Sequence, residues 1–411
     1  MAAQARGRRQ TAAPRGAARP GASRYDPLAD RRGEDAGAPA LDVFLSGQLF
    51  FDMVFAGLDA APAPGTEVWT TGLGSLPGGI ANLAVATSRL GLRTGLAAGF
   101  GDDVFGRFCW QVLCEQEGVD LTSSRLFPGW HSAVTVSMAH DDDRSMVTHG
   151  HPLPVSQAAL VGTPPASRAV ITELALPHDD AGHDGGGHDG GEAGPGDGRA
   201  DGAADAPWWL AAREGGAAVF ADVGWDPTGT WDPAVLERLD SCHAFLPNEV
   251  EAMAYTRAST PQAALAALAD RVPLAVVTCG PRGALAVDAT TGESAAVPGV
   301  PVDAVDPTGA GDVFGAAVVL GTLAGWPLHE RLAFAALCAS LAVQQFGGSL
   351  AAPGWGDLAD WWSGTSARAR AGDPVAEELA RRYGFLAALL PADPVAAVRR
   401  AEATFALASD L

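Results

Sequence analysis

The sequence predicts an α/β protein in which a doubly wound, mostly parallel sheet carries helices on both faces and a small β lid. Short, continuously apolar segments bounded by turns alternate with helical segments, as expected for parallel strands that are buried on both faces. The candidate strands are 41–45, 169–174, 217–223, 244–248 and 274–278. Segments 66–74 and 133–148 instead alternate β-prone with polar residues, which predicts half-exposed strands of a lid.

The composition excludes several classes of function. The 411 residues are 47% apolar, which is enough to form a large globular core. No lysine is present among the 27 cationic residues, so a Walker-type phosphate lysine, a Schiff-base lysine and the ion pair of protein kinases are impossible. The formal net charge of -21 opposes the binding of nucleic acid, which is therefore not expected as a partner.

Cysteine spacing and targeting patterns predict a cytoplasmic protein. The five cysteines form no C-x-x-C pair and have no histidines at metal spacing, so neither a zinc module nor a disulfide framework is indicated. Arg8-Arg9 resembles the start of an export signal, but no apolar segment follows it. No apolar run approaches the roughly 20 residues that cross a bilayer, so no membrane partner is expected.

The chain divides into an arm, one main domain and an extension. Residues 1–40 are mostly Ala, Gly, Pro and Arg, which predicts a disordered arm, since they cannot bury enough surface to offset chain entropy. A basic tail for nucleic acid is the alternative, but interleaved aromatic residues are missing. The main domain is 41–365. Residues 366–411 are predicted to be a helical extension, with 395–407 as one amphipathic helix.

A low-complexity insertion interrupts the main domain at 178–205. It is rich in Gly, Asp and His, and His178, His183 and His188 are each followed by Asp. This spacing can hold a metal ion, but the glycines leave such ligands unorganised. A flexible surface insertion is therefore favoured over a metal site.

The segment 306–312, Asp-Pro-Thr-Gly-Ala-Gly-Asp, precedes a long apolar run and carries the clearest chemical signal. Small residues at a helix N-terminus leave backbone N–H groups open to an anion, which predicts a phosphate cradle. Asp312, at the N-terminus of that helix, can take the proton from a hydroxyl group that attacks phosphorus. An ordinary capped helix with an acid in its first turn is the alternative.

A second glycine motif, Pro77-Gly78-Gly79, is followed by a predicted helix over 83–90. Paired glycines allow a ligand to approach the backbone, and Asn82 offers a donor and an acceptor for hydroxyl groups. Asp52, just beyond the first strand, can accept two hydroxyl hydrogen bonds. Its alternative role is that of a turn acid.

Together these motifs resemble the ribokinase-like, or PfkB, family of carbohydrate kinases. The resemblance extends from about residue 41 to about residue 361. It is specific over 306–319, and 78–106 resembles the N-terminal signature of the family. The segment between the paired glycines and Asn82 is one residue shorter than in many members, which makes the sugar pocket the less closely matched end.

The resemblance implies roles for particular residues. Asp312 matches the catalytic base, and the N–H groups of Gly309, Ala310 and Gly311 match the anion hole. The implied sugar contacts are Asp52, Gly78, Gly79 and Asn82, and the implied nucleotide contacts are Asn248, Thr278, Gly280 and Gly283. Glu251 matches the residue that holds magnesium through water. Asp306 and Thr308, with 347–349, match the site of the monovalent cation, such as K⁺, that some members use.

The expected function is therefore that of an ATP-dependent sugar kinase that uses Mg²⁺. Two alternatives stay open: a nucleoside kinase of the same family, and a sugar-binding regulator that has lost turnover. A homodimer formed through the lid is compatible with the resemblance. Arg144, in a polar turn between lid strands, is either a residue that reaches the substrate or a solvated hairpin tip, and the tip is favoured.

Overall fold

The computed structural model describes residues 25–33, 39–140, 143–174, 206–223, 226, 229–400 and 405–407. The insertion 178–205, and with it the question of a histidine metal site, lies outside these residues. Within the described ranges, no helix combines the length and the apolar character that crossing a membrane requires.

The main sheet has eight strands, and six of them are parallel, as the sequence predicts. Their spatial order is β14-β13-β12-β11-β10-β9-β1-β4, with β13 and β14 antiparallel at one edge. The strands are β1 Leu41–Ser46, β4 Thr94–Ala97, β9 Ser167–Glu173, β10 Ala218–Asp222, β11 Ala244–Phe245, β12 Leu274–Thr278, β13 Ala284–Asp288 and β14 Glu293–Val297. The carboxyl ends of the parallel strands lie at one edge of the sheet, where ligands of such folds bind.

Alternate residues of the parallel strands enter two separate cores. In β1, Val43 and Leu45 belong to one buried cluster, whereas Phe44 belongs to the other. Helices cover both faces: α2, α8, α9 and α11 contribute to the first core, and α5, α6 and α7 contribute to the second. The helices are α1 Ala29–Gly33, α2 Ile80–Arg89, α3 Val104–Gln111, α4 Gln157–Val161, α5 Trp208–Glu214, α6 Glu249–Thr256, α7 Pro261–Ala269, α8 Ala310–Leu323, α9 Leu328–Ala342, α10 Gly348–Ala351, α11 Trp355–Arg370, α12 Pro374–Arg382 and α13 Leu386–Leu389. A continuously apolar strand is stable here because both of its faces are buried.

The lid is a second sheet of five strands in the order β15-β3-β2-β7-β8. These strands are β2 Leu49–Ala56, β3 Gly72–Gly79, β7 Ala133–His140, β8 Asp143–His149 and β15 Phe405–Leu407. A short pair, β5 Gly99–Gly101 and β6 Arg125–Phe127, lies outside both sheets. The alternating pattern of 133–148 thus forms a hairpin of the lid. The lid strand predicted at 66–74 is wrong for 66–71, because β3 begins at Gly72, where pairing with β2 begins.

The N-terminal arm is ordered in part, so the prediction of disorder over residues 1–40 is wrong for 25–33. Leu28 is 1% exposed within the first core, and the Tyr25 hydroxyl donates to the Leu389 carbonyl at 2.6 Å. Arg32 forms an ion pair with the fully buried Asp42 at 2.6 Å. The few large side chains at the end of the arm therefore bury enough surface to order it.

In the described part of the C-terminal extension α13 is the last helix, so the prediction of a helix over 395–407 is wrong for 395–400 and 405–407. Tertiary contacts replace the hydrogen bonds of a helix there: the Gly356 N–H donates to the Val398 carbonyl, and Arg399 and Arg400 pair with acids on α11. The chain then pairs with the lid, with Phe405 opposite Gly74 in antiparallel register. One edge of the lid is thus covered by the chain itself, which removes that edge from a lid-mediated homodimer.

Candidate active site

The loop 306–309 leads into α8 and sets the direction of its first amides. Gly309 has a left-handed φ of 74°, which a residue with a side chain adopts only with strain. The Ala310 N–H donates to the Pro307 carbonyl at 3.2 Å, and a role of this amide in an anion hole stays a prediction. Among the described residues, the N–H groups of Gly311 and Asp312 have no acceptor, as expected for the first turn of a helix.

Asp312 is held against Asn82 of α2. The Asn82 Nδ2 donates to Asp312 Oδ2 at 3.0 Å, which joins two residues 230 positions apart. Burial raises the pKa of Asp312 to about 6, although the hydrogen bond from Asn82 acts in the opposite direction. The Asn82 Oδ1 is buried without a hydrogen-bond partner among the described residues, so it is an acceptor available to a ligand.

These two side chains lie on the wall of a cavity of about 340 Å³, within the usual size range of small-molecule sites. Gly79, predicted to contact sugar, lines the same cavity. The other described residues of the wall are Ser46, Gly47, Gln48, Phe50, Ile80, Leu83, Ile171, Thr172, Glu173, Asp222 and Val223. The cavity therefore lies between α2, the lid strand β2 and the carboxyl ends of β1, β9 and β10.

Glu173 and Asp222 are cavity residues that the sequence reasoning did not single out. Each is the last residue of its parallel strand, β9 and β10 respectively. The sequence does contain a signal for them: an acidic residue ends an otherwise apolar parallel strand. The carboxyl ends of such strands meet at the edge of the sheet where ligands bind. Burial, followed by the charges of Glu251 and Asp312, raises the pKa of Asp222 well above its usual range.

Three glycine segments are packed against each other around Asp312 and Asn82. A Cβ at Gly309 would lie 2.8 Å from the Gly348 Cα, and one at Gly348 would lie 2.6 Å from the Asn82 Oδ1. The Ser349 hydroxyl donates to the Pro77 carbonyl, which joins this segment to the paired glycines. The glycines thus permit close backbone packing, which brings Asn82 next to Asp312.

Asp52 and Gly78 lie beside the cavity and are not among the described residues that line it. The space of a Cβ at Gly78 is taken by the Asp52 carboxylate, whose Oδ2 would be 1.8 Å away. Asp52 lies opposite Thr135 in the lid register and is hydrogen bonded to it. Burial raises the pKa of Asp52 to about 6, while Thr135 and the charge of Arg144 lower it. A direct sugar contact of Asp52 stays a prediction.

Arg144 is not a solvated hairpin tip, and that interpretation is wrong. Its Nη1 lies 3.3 Å from Asp306 Oδ1 and donates to the Thr308 hydroxyl. The side chain is partly buried, with 29% exposed. The sequence placed Arg144 in a polar turn, but strand β8 brings it across to the loop before α8, a contact between residues 162 positions apart.

The residues predicted to bind nucleotide form a second group at the same sheet edge. Asn248, which follows β11, and Thr278, the last residue of β12, form a parallel β-bridge. The Asn248 side chain caps α6, because its Oδ1 accepts from the backbone N–H groups of Val250 and Glu251. In return, the Glu251 carboxylate accepts from the backbone N–H of Asn248 at 2.9 Å. This capping box accounts for both side chains structurally. Burial raises the pKa of Glu251.

Gly280 and Gly283 differ in what surrounds them. A Cβ at Gly280 would meet nothing within 4 Å, so the space above this residue is open. A Cβ at Gly283 would lie 1.9 Å from the Val297 carbonyl oxygen, and its φ is 96°. Local backbone packing therefore accounts for Gly283, whereas Gly280 is accessible to a ligand.

Comparisons with known proteins agree with this fold. The model of the pfkB family carbohydrate kinases matches residues 205–354. The chain is 33% identical over 109 residues to a nucleoside kinase of Methanothermobacter thermautotrophicus, and 41% identical over 78 residues to a ribokinase of Schizosaccharomyces pombe. These matches cover 26% and 19% of this chain, and 34% and 24% of the respective relatives. The chain therefore matches only about a third or less of either relative.

The fold extends over most of the chain. Arabidopsis thaliana ribokinase, solved with ribose and ATP, superposes with a TM-score of 0.57 at 22% identity, covering 77% of this chain and 96% of that one. The resemblance stated from the sequence is therefore confirmed: residues 205–354 match the pfkB family model, and the chain has the ribokinase-like fold.

Proposed function

From this ribokinase-like chain we propose an ATP-dependent sugar kinase in which Asp312 is the general base. The observation that carries the proposal is the position of the Asp312 carboxylate, on the cavity wall at the N-terminus of α8 and 3.0 Å from the Asn82 amide. The carboxylate takes the proton of a sugar hydroxyl. The hydroxyl oxygen forms a bond to the γ-phosphorus, and the bond from that phosphorus to the leaving oxygen of ADP breaks.

The first turn of α8 and the cavity wall complete the arrangement. The Gly311 and Asp312 amides, which have no acceptor among the described residues, stabilise negative charge on the transferring group. The buried Asn82 Oδ1 accepts a hydrogen bond from a second hydroxyl of the substrate. Because Asn82 also donates to Asp312, it fixes the orientation of the base relative to the sugar.

The acidic groups beside the cavity fit a magnesium ion that arrives with the nucleotide. No group of three metal-ligating side chains is preassembled in the part of the chain that the structure describes. Protein sites for Mg²⁺ commonly supply one or two carboxylates, and substrate phosphates and water supply the rest. Glu251 and Asp222 are the carboxylates that would hold it. When bound, Mg²⁺ neutralises phosphate charge.

A nucleoside kinase is the second candidate, and Phe50 is the observation that favours it. This aromatic side chain lines the cavity, where it can pack against a nucleobase. The relative from M. thermautotrophicus is named a nucleoside kinase. The sugar of a nucleoside carries hydroxyl groups like those of a free sugar. The Asp312 carboxylate on the cavity wall and the Gly311 and Asp312 amides without an acceptor among the described residues support turnover over an inactive sugar-binding regulator.

The test is a panel of free sugars and nucleosides assayed for ADP formation with Mg-ATP. A sugar kinase releases ADP with one or more free sugars and not with nucleosides, whereas a nucleoside kinase gives the reverse pattern. Binding of a sugar, measured by calorimetry, without any ADP release would establish the regulator instead. The Asp312→Asn protein is the matched control, since a contaminating kinase would release ADP equally in both preparations.

A further inference from the structure

Asp306 holds two segments of the site together through both of its carboxylate oxygens. Oδ2 accepts the Gly347 N–H at 3.0 Å, and Oδ1 accepts the Thr308 N–H at 2.9 Å together with the Thr308 hydroxyl. The Asp306 side chain is 10% exposed. Gly309 follows Thr308, Gly348 follows Gly347, and the backbones of these two glycines pack against each other. The Asp306 carboxylate therefore joins the loop before α8 to the segment that begins α10.

A buried carboxylate at this position requires a positive charge nearby, because removing it from water is otherwise unfavourable. In the part of the chain that the structure describes, Arg144 is the one basic side chain paired with Asp306. Its Nη1 contacts Oδ1 of Asp306 and the Thr308 oxygen at the same time. Asp306 and Thr308, the two residues matched to a monovalent-cation site, thus both contact the Arg144 guanidinium, which belongs to the lid.

A potassium ion does not fit beside this arrangement. It would compete with Arg144 for the Asp306 and Thr308 oxygens, and an ion placed next to the guanidinium group would be repelled by it. We propose that the Arg144 guanidinium replaces the monovalent cation of this site, so that the loop before α8 is held in place without K⁺. Arg144 is then a positioning residue, which acts on Gly311 and Asp312 through Asp306 and Thr308.

The position of Arg144 on the lid adds a conformational consequence. Strand β8 belongs to the same sheet as β2, which carries Asp52, and the charge of Arg144 acts on Asp52. A metal ion would hold the loop whatever the position of the lid. Arg144 lies on lid strand β8, so its contact with Asp306 and Thr308 connects the lid directly to the loop before α8.

The experiment compares the full-length protein with its Arg144→Ala and Arg144→Lys variants in KCl and in choline chloride at an equal ionic strength of ~0.1 M. Thermal melting is the first measurement, and it requires no assumption about the reaction. We expect the melting temperature of the wild type to be the same in both salts. The Arg144→Ala protein melts lower in choline chloride and recovers in KCl, since the vacated site binds an ion.

The second measurement is the rate of ADP formation, which rests on the proposed function. The wild type should be insensitive to the choice of salt. Arg144→Ala should lose about 10- to 100-fold in choline chloride, as expected for a lost charged hydrogen bond, and should regain activity with K⁺ or a small guanidinium salt. Arg144→Lys keeps the charge and should stay insensitive to K⁺. Arg381→Ala, which removes an exposed ion pair, is the control for loss of an arginine.

Two results would overturn the inference. One is activation or stabilisation of the wild type by K⁺ over choline, which would show that the metal binds despite Arg144. The other is an Arg144→Ala protein whose melting and rate respond to neither K⁺ nor guanidinium. If no substrate gives ADP, the proposed function fails, but the melting comparison still decides the inference about Arg144.

Discussion

The two ends of the cavity are built in different ways. At the α8 end, backbone groups of adjacent residues present the site, and Gly309 and Gly311 lie within one continuous motif. At the lid end, side chains from separate strands meet: Asp52 of β2 is hydrogen bonded to Thr135 of β7 and lies near Arg144 of β8. A site made of local backbone can be recognised in a sequence. A site made of side chains on different strands depends on their register.

The largest expected effect belongs to the α8 end. Asp312→Asn keeps the shape of the side chain but cannot accept a proton, so kcat should fall about 10²- to 10⁴-fold. Steady-state kinetics and calorimetric ATP binding measure this, and ATP binding should be retained. A kcat within a few-fold of the wild type would assign proton transfer to another group.

The raised pKa of Asp312 predicts two effects of pH, one on activity and one on stability. Since the base must be ionised, kcat/KM of the wild type should fall as the pH drops below about 6. Folding favours the protonated form of Asp312, because its pKa is higher in the folded protein than in the unfolded chain. The free energy of unfolding of the wild type therefore falls as the pH rises through about 6. The melting temperature of Asp312→Asn relative to the wild type should therefore increase between pH 5 and pH 8. A constant difference would contradict the shift.

Substitutions of Gly309 and Gly311 distinguish backbone packing from ligand binding at the α8 end. A Cβ at Gly311 meets nothing within 4 Å, so Gly311→Ala should fold normally and lose about 10²-fold in kcat, because the methyl group obstructs the phosphate. Gly309→Ala combines a positive φ with a Cβ 2.8 Å from Gly348, so it should lower the unfolding free energy by about 1–3 kcal/mol. Chemical denaturation and kinetics distinguish them; equal stability losses would mean that both glycines serve packing.

At the lid end, Asp52→Ala should raise the KM for sugar about 10- to 100-fold while the KM for ATP stays nearly unchanged. The physical reason is the loss of a charged acceptor for substrate hydroxyls when the lid covers the cavity. Thr135→Val tests the support of that carboxylate and should give a smaller increase. Asp52 lies within strand β2, so the turn-acid alternative is wrong, and an Asp52→Ala protein that changes only in melting temperature would assign the residue to the lid structure alone.

The smallest effect is expected far from both ends. Replacing 178–205 with a short Gly-Ser linker should leave melting temperature and activity unchanged, because loop-closure free energy changes by only about 0.6 kcal/mol per doubling of length. Both are measured with and without added Zn²⁺. A loss of activity in the shortened protein, together with a Zn²⁺ effect limited to the full-length protein, would support the histidine metal-site alternative.

The amino-acid sequence by itself was sufficient to predict the alternating strands and helices, the glycine motif at 306–312 and the position of Asp312 in the first turn of the following helix, because each depends on neighbours in the chain. Only the tertiary structure decided which groups meet across long separations. It joined Asn82 to Asp312, brought Glu173 and Asp222 to one cavity and carried Arg144 to Asp306. It also paired Phe405 with the lid instead of extending a helix. Strand register and loop packing fix these contacts, and neither is encoded in any local segment.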